Sequence, residues 1–427
     1  MKLLIQNGRI VDPASRTEAV LDILIAEGRI AGMGSRLDCR ADRTVDASGW
    51  AVCPGFIDMH VHLREPGYEH KETIRTGSRA AARGGFTTIC CMSNTQPVND
   101  SVEVTSFILD EAMRSSSVRI HPIASVTRGM KGLELTDMAA LADAGAVAFS
   151  DDGRHVGDSG VMRRALEWAD SLNRLVIDHC EDLALAAGGA MHEGSQNRRL
   201  GLKGIPSESE AGPVRRDIAL ARETRSRVHI AHLSVKGAVE AVREAKAEGV
   251  RVSAEATPHH LVLTDEALER PDPNLKMNPP LRGREDVDAL VEAVRSGVVD
   301  AVATDHAPHA PGEKAADFDE APFGVIGLET AVSILLDRFV HKNVFPMMRL
   351  VELLSWNPAR LLGLEGAGCI AVGAAADLTL IDTSAEIVVD AAAMESKSRN
   401  TPFHGWTLRG CPVMTVVGGR IVFPFEP

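Results

Sequence analysis

His60 and His62, two residues apart in the run Asp58-Met59-His60-Val61-His62, are the first side chains whose spacing suggests chemistry. In a strand, residues i and i+2 share a face and stand about 6.6 Å apart at about 3.3 Å rise per residue. Two imidazoles so placed can lean onto one metal ion at about 2.0–2.1 Å per bond. Alone, the pair is a weak signal, and such a pair is more often a polar strand end with two hydrogen-bonded histidines. The set widens along the chain. His179 lies in Val176-Ile177-Asp178-His179-Cys180-Glu181 and His232 in His229-Ile230-Ala231-His232-Leu233-Ser234. Asp305 lies in Ala303-Thr304-Asp305-His306, and the pair Asp151-Asp152 follows another apolar run. A carboxylate at an apolar strand end is costly unless it is paired or binds a metal. Four histidines and two aspartates supply ligands for two cations about 3.5–4 Å apart, which can share one hydroxide. Nitrogen and oxygen ligands without thiolate favour zinc, with manganese or cobalt as alternatives. Cys180 follows His179 directly, so it faces the other side of its strand and reads as a core thiol. His229 starts its strand and is expected toward the opposite rim, outside the site.

Residues so far apart in sequence need a scaffold that gathers them. Eight apolar runs read as strands: Val52–His62, Thr87–Met92, Arg119–Val126, Ala146–Ser150, Leu175–Cys180, Val228–Ser234, Arg251–Thr257 and Ala301–His306. Amphipathic stretches such as Glu208–Arg225, Lys236–Glu248 and Glu285–Ser296 separate them. Eight strands alternating with helices predict an α/β fold of the (β/α)₈ barrel type, with a doubly wound open sheet as the alternative. The barrel is favoured because the candidate ligands fall at the C-terminal ends of the strands, which converge on one mouth. Along the first strand, the apolar residues alternating with the histidines are expected to face the helices.

The two ends of the chain carry a different pattern. Asn7-Gly8, Glu27-Gly28 and Gly418-Gly419 each sit between short β-branched runs and read as hairpin turns. Another strand is expected at Ala375–Ile381. Residues 1–52 and 366–427 are therefore expected to form one small β domain, with the barrel, 53–365, inserted between its parts. Aromatic residues make up only 4% of the chain, so the core must rest on Ala, Val, Leu and Ile. The net charge of -13, without basic blocks, argues against nucleic acid and anionic membranes as partners. No apolar run is long enough to span a bilayer, and the N-terminal apolar stretch is too short for a signal peptide. The seven scattered cysteines, without CxxC spacing, read as buried free thiols in a reducing cytoplasm.

Longer motifs carry a resemblance. They are Gly55-Phe56-Ile57-Asp58-Met59-His60-Val61-His62-Leu63-Arg64-Glu65-Pro66-Gly67, Met92-Ser93-Asn94-Thr95-Gln96-Pro97 and Ser150-Asp151-Asp152-Gly153. Further along come Asp178-His179-Cys180-Glu181, Ala303-Thr304-Asp305-His306-Ala307-Pro308-His309 with Lys314 beyond, and Pro322-Phe323-Gly324-Val325-Ile326-Gly327-Leu328-Glu329. Over essentially its whole length the chain resembles the amidohydrolase superfamily and, within it, the class I bacterial dihydroorotases. The HxH pair is shared across the superfamily, whereas HLREPG together with TDHAPH is much more specific. The resemblance implies one or two Zn²⁺ ions held by His60, His62, Asp152, His179, His232 and Asp305. It selects Asp152 over Asp151 as the bridging ligand. Many relatives, hydantoinases included, bridge their metals with a carboxylated lysine, and Ala146–Asp152 contains no lysine.

Carbamoyl aspartate and dihydroorotate both carry a carboxylate that survives the reaction. Arg64, two residues past His62 at the expected mouth, suits bidentate binding of it. The resemblance adds His62, Asn94, Asn278, His309, Phe323 and Gly324 as substrate-binding residues. It implies attack on the ring amide by a zinc-bound hydroxide, with Asp305 shuttling the proton to the leaving nitrogen. Pro308–Pro322, rich in Pro, Gly and charge, is expected to be a mobile loop over the mouth. The small-molecule substrate is the main partner implied, with a homodimer and association with aspartate transcarbamoylase as candidate assemblies. The rival readings are another cyclic amidase, such as an allantoinase or dihydropyrimidinase, and a non-catalytic subunit of aspartate transcarbamoylase.

Overall fold

The protein, represented by a computed structural model, is described over residues 2–425, so Met1, Glu426 and Pro427 at the ends of the expected terminal parts lie outside the described residues. Eight parallel strands form the barrel: Phe56–Val61, Phe86–Cys91, Arg119–Ala124, Ala148–Phe149, Leu175–Asp178, Val228–Ile230, Val252–Ala256 and Ala301–Val302. The first and last meet through a parallel bridge between Val61 and His306, where the His62 amide donates to the His306 carbonyl at 2.8 Å. Several strands are shorter than their apolar runs, because the backbone leaves the ladder as it enters the mouth.

Alternation sorts the barrel side chains. Val176, Val228, Ile230, Val252, Ala254 and Ala256 join the large cluster beneath the helices, while Leu175 and Ile177 pack with Ile57, Cys90 and Ile123 in an inner layer. That inner layer is closed by Ala359 and Leu362 of the helix Asn357–Leu362. The outer helices fit their grooves by spacing. Lys236–Ala247 buries Ala238, Val239, Val242 and Ala245, a stripe of one helical face. Arg284–Ser296 buries Val287, Leu290, Ala293 and Val294 and ends on Gly297 in the left-handed conformation.

The second sheet has eight strands drawn from both ends of the chain. Its N-terminal members are Lys2–Asp12, Thr17–Ala26, Arg29–Gly34, Arg43–Asp46 and Ala51–Pro54. Leu378–Val388, Thr407–Val417 and Arg420–Phe423 complete it. The two sets join where Leu378–Val388 runs antiparallel to Ala51–Pro54.

Four local expectations are corrected. The run Val52–His62 is two strands in two sheets, broken at Gly55, whose amide donates to the Asp377 carbonyl and where a Cβ would lie 2.1 Å from Thr87 Oγ1. Asn7-Gly8 is a bulge inside the first strand and makes no turn. Asn7 sits at φ 59° with its amide on Asp22 and its side chain on Asp46, and the ladder with Thr17–Ala26 shifts register there. Glu27-Gly28 and Gly418-Gly419 do join neighbouring antiparallel strands. Met59 packs in the inner layer with Ile57 and Cys90, not against the helices, because the first barrel strand shifts register between Asp58 and Val61. The cysteines are all free, but Cys39, Cys369 and Cys411 are only half-buried. Among the described residues, no helix is long and apolar enough to cross a membrane.

Candidate metal centre and substrate cavity

His60, His62, Asp152, His179, His232 and Asp305 converge at the C-terminal mouth of the barrel, all buried. His60 Nε2 lies 3.3 Å from Asp152 Oδ1 and 3.5 Å from Asp305 Oδ1. His62 Nε2 lies 3.4 Å from Asp152 Oδ2 and 3.1 Å from Asp305 Oδ1. His179 Nδ1 and His232 Nε2 each stand 3.5 Å from Asp152 Oδ1 and 2.8 Å from one another. Asp152 thus faces His60, His179 and His232 with one oxygen and His62 with the other. Asp151 points elsewhere and accepts from the amides of Val126 and Thr127.

These spacings fit a cation. Ligands at about 2.0–2.1 Å in tetrahedral array stand about 3.3 Å from one another, and the histidine–carboxylate separations run from 3.1 to 3.5 Å, with the two rings of His179 and His232 closer at 2.8 Å. His60 Nε2 and Asp152 Oδ1 are buried without a hydrogen-bond partner although both face the centre. Such orphaned acceptors are costly in a core unless something positive joins them. Protonation states tell the same story for the metal-free protein. Burial opposes charge on His60, but Asp152 and Asp305 outweigh it and hold its pKa well above the usual value. Burial likewise opposes charge on His179, yet Asp152 and Glu181 push it up to about 10. Against their own burial, Asp152 and Asp305 are both held well below the usual carboxylate range, chiefly by His60. Protons sit where a metal would.

The outer nitrogens of three of these rings are anchored. His60 Nδ1 donates to Glu255 Oε1 at 2.7 Å, and His62 Nδ1 donates to Asn94 Oδ1 at 2.8 Å. His179 Nε2 lies 3.4 Å from Asn278 Nδ2 and 3.7 Å from Glu181 Oε2. Glu255 and Glu181 were not singled out in the sequence. Glu255 carried a signal all the same, as a carboxylate in the apolar run Val252-Ser253-Ala254-Glu255-Ala256. His229 is not at the far rim. It alternates with the outward-facing Val228 and Ile230, points into the barrel one layer below the site, and lies 3.2 Å from Glu255. Cys180 is buried as expected, beside Asp178 and Asp217.

A cavity of about 240 Å³ opens over the cluster. That is below the roughly 300–1,000 Å³ of drug-sized pockets and suits a small substrate. Arg64, Asn94, Asn278, His309, Phe323 and Gly324 all line it, together with five of the six clustered residues, His60 lying beneath. Arg64 donates through Nε to the Pro308 carbonyl at 3.2 Å. His309 donates through Nε2 to the Phe323 carbonyl at 2.8 Å, and burial with the nearby Arg64 charge lowers its pKa to about 3. Gly324 sits at φ +127°, where a Cβ would lie 2.7 Å from that of Ala307. Arg64, His232 and Asp305 also take positive φ, at 62°, 30° and 47°. Non-glycine residues in that region are uncommon and concentrate at functional sites.

The segment 308–322, expected as a mobile loop over the mouth, contains a helical turn, Pro311–Lys314. Buried Lys314 pins it, its Nζ donating to the carbonyls of Pro273, Lys276 and Pro322 at 2.8, 3.2 and 2.8 Å.

Comparison with known proteins defines the fold and the family. The amidohydrolase family model matches residues 210–423. The solved L-hydantoinase (dihydropyrimidinase) from Arthrobacter aurescens superposes with a TM-score of 0.89 at 27% identity, covering 98% of this chain and 95% of its own. The dihydropyrimidinase from Brevibacillus agri NCHU1002 gives 0.85 at 26% identity, over 99% and 95%. The chain is a cyclic amide hydrolase on the amidohydrolase fold. Sequence narrows the class further. A dihydro-orotase-like family model matches residues 49–238. The dihydroorotase of Pelotomaculum thermopropionicum is 52% identical over 99% of this chain and 98% of its own. That of Geobacter metallireducens is 48% identical over 99% and 100%. The chain belongs to the dihydroorotase family.

Proposed function

We propose that the protein interconverts N-carbamoyl-L-aspartate and L-dihydroorotate, using zinc held by His60, His62, Asp152, His179, His232 and Asp305. The observation that carries this reading is the guanidinium of Arg64 in a small cavity directly beside the histidine–carboxylate cluster. It sets a carboxylate-binding group next to a site suited to amide chemistry. When bound, the metal would supply an activated water near neutral pH and polarise the amide carbonyl.

The chain's own residues do the rest. Arg64 takes the substrate carboxylate, with Nε already fixed on Pro308 so that the guanidinium is oriented before substrate arrives. Asn94 has committed its carbonyl oxygen to His62, which leaves its amide nitrogen to donate to substrate. Asn278 donates to Glu181 at 3.1 Å, which leaves its carbonyl oxygen to accept. His309 stays neutral and closes one wall with Phe323. Asp305, ionised at neutral pH, accepts the proton of the attacking water and returns it to the ring nitrogen as the ring opens. Ring closure uses the same groups in reverse. The test is turnover of the zinc-loaded protein on dihydroorotate beside hydantoin, dihydrouracil and allantoin. Dihydroorotate is expected to be the preferred substrate, and preference for a ring lacking the carboxylate would overturn the assignment.

A further inference from the structure

Glu255 is fully buried inside the barrel, one layer below the candidate ligands, and no lysine or arginine pairs with it among its hydrogen-bond partners. A carboxylate in such a place is expensive unless hydrogen bonds hold it. Two histidines do so. His60 Nδ1 meets one oxygen at 2.7 Å and His229 Nε2 meets the other at 3.2 Å. His229 is itself fixed from the far side, its Nδ1 lying 2.8 Å from the Ser253 hydroxyl. With the carboxylate ionised and His229 neutral, this row of groups has one consistent hydrogen assignment. Ser253 donates to His229 Nδ1, His229 donates from Nε2 to Glu255, and His60 donates from Nδ1 to Glu255. The only one of these ring nitrogens not committed to the row is His60 Nε2, the atom that faces Asp152 and Asp305, has no hydrogen bond of its own and offers its lone pair once a metal displaces its proton.

We infer that Glu255 is a positioning residue for metal binding: it fixes the orientation and tautomer of His60 so that Nε2 is presented to the ion. Ser253 and His229 hold Glu255 in turn, so the ring is set from beneath by three residues that touch neither metal nor substrate. The hydrogen bond from Nδ1 also makes Nε2 a stronger donor to a metal. The inference rests on the reading of His60 as a metal ligand, and its test separates the two. Zinc affinity is measured by competition with a chelator for the wild type, Glu255→Gln and His60→Ala. Glu255→Gln keeps the shape but removes the charge, and its zinc Kd should rise about 10–100-fold. A Kd within threefold of wild type, with His60→Ala impaired, would overturn the role of Glu255 alone. Wild-type zinc binding that His60→Ala leaves unchanged would overturn the ligand reading and this inference with it. Nitrogen-15 histidine spectra of the zinc-loaded wild type give a readout independent of whether the variant folds. His60 Nδ1 should carry a proton, and a bare Nδ1 would refute the assignment.

Discussion

Zinc should bind the metal-free protein more weakly as pH falls, because protons already occupy nitrogens that face the centre. His179, pushed up to about 10 by Asp152 and Glu181 against its burial, is cationic at pH 7. His60, held well above its usual value by Asp152 and Asp305, is cationic too. At about 1.36 kcal/mol per pH unit, displacing the His179 proton at pH 7 costs about 4 kcal/mol, or about a thousandfold in apparent affinity. Each displaced proton gives a slope of about one decade of affinity per pH unit. Between pH 7 and pH 9, zinc should therefore bind about 10²–10⁴-fold more tightly, depending on whether one proton leaves or two. Competition with a chelator of known zinc affinity at each pH measures the slope. Calorimetry in buffers of different protonation enthalpy counts the protons released. The sign for folding follows from the same shift. The raised pKa of His179 stabilises the metal-free fold fully below the unfolded value near 6.5, and that contribution disappears as pH rises through about 10. Zinc affinity that changes less than threefold across pH 7–9, with no proton released, would refute the reasoning.

Three further perturbations address the site. Arg64→Met should raise KM for dihydroorotate by about 10–150-fold, the loss of a charged hydrogen-bond pair worth about 1.5–3 kcal/mol; an unchanged KM would remove the carboxylate clamp. Asp305→Asn should lower kcat by about 10²–10⁴-fold, with bound zinc measured alongside because Asp305 is also a candidate ligand; turnover within tenfold of wild type at full zinc occupancy would exclude it as proton carrier. Lys314→Met removes the donor shared by three carbonyls. Limited proteolysis should then cut within 308–322 much faster while the barrel melts as before, and an unchanged cleavage rate would contradict the pinning role.

The barrel was legible because its strands, buried on both faces, are near-continuous apolar runs, and because histidines and aspartates gather at the C-terminal ends of those runs. That single regularity located His60, His62, Asp152, His179, His232 and Asp305, and the structure brings all six together. The same logic applied one residue deeper would have found Glu255, which is as anomalous among Ala254 and Ala256 as Asp305 is in its own run. It was passed over because it lies within the strand and not at its end. Local turn chemistry misled at Asn7-Gly8, where Asp22 and Asp46, distant in sequence, convert a turn pair into a bulge. Strict alternation misled at Met59, because a register shift in the ladder changes the face that a residue presents. The break at Gly55 depends on Thr87 and Asp377, contacts that no window of sequence contains.

The pairing of Ala51–Pro54 with Leu378–Val388 has a consequence for how the protein is made. On the ribosome, one edge of Ala51–Pro54 can pair at once with the N-terminal strand, at Arg9 and Ile10. The other edge waits until the whole barrel sequence has been synthesised. Throughout that interval the nascent chain carries an open strand edge immediately before the segment that bears His60 and His62, and open edges are where chains aggregate. A product released early would keep that edge permanently, so the C-terminal strands serve as the seal that marks a finished chain.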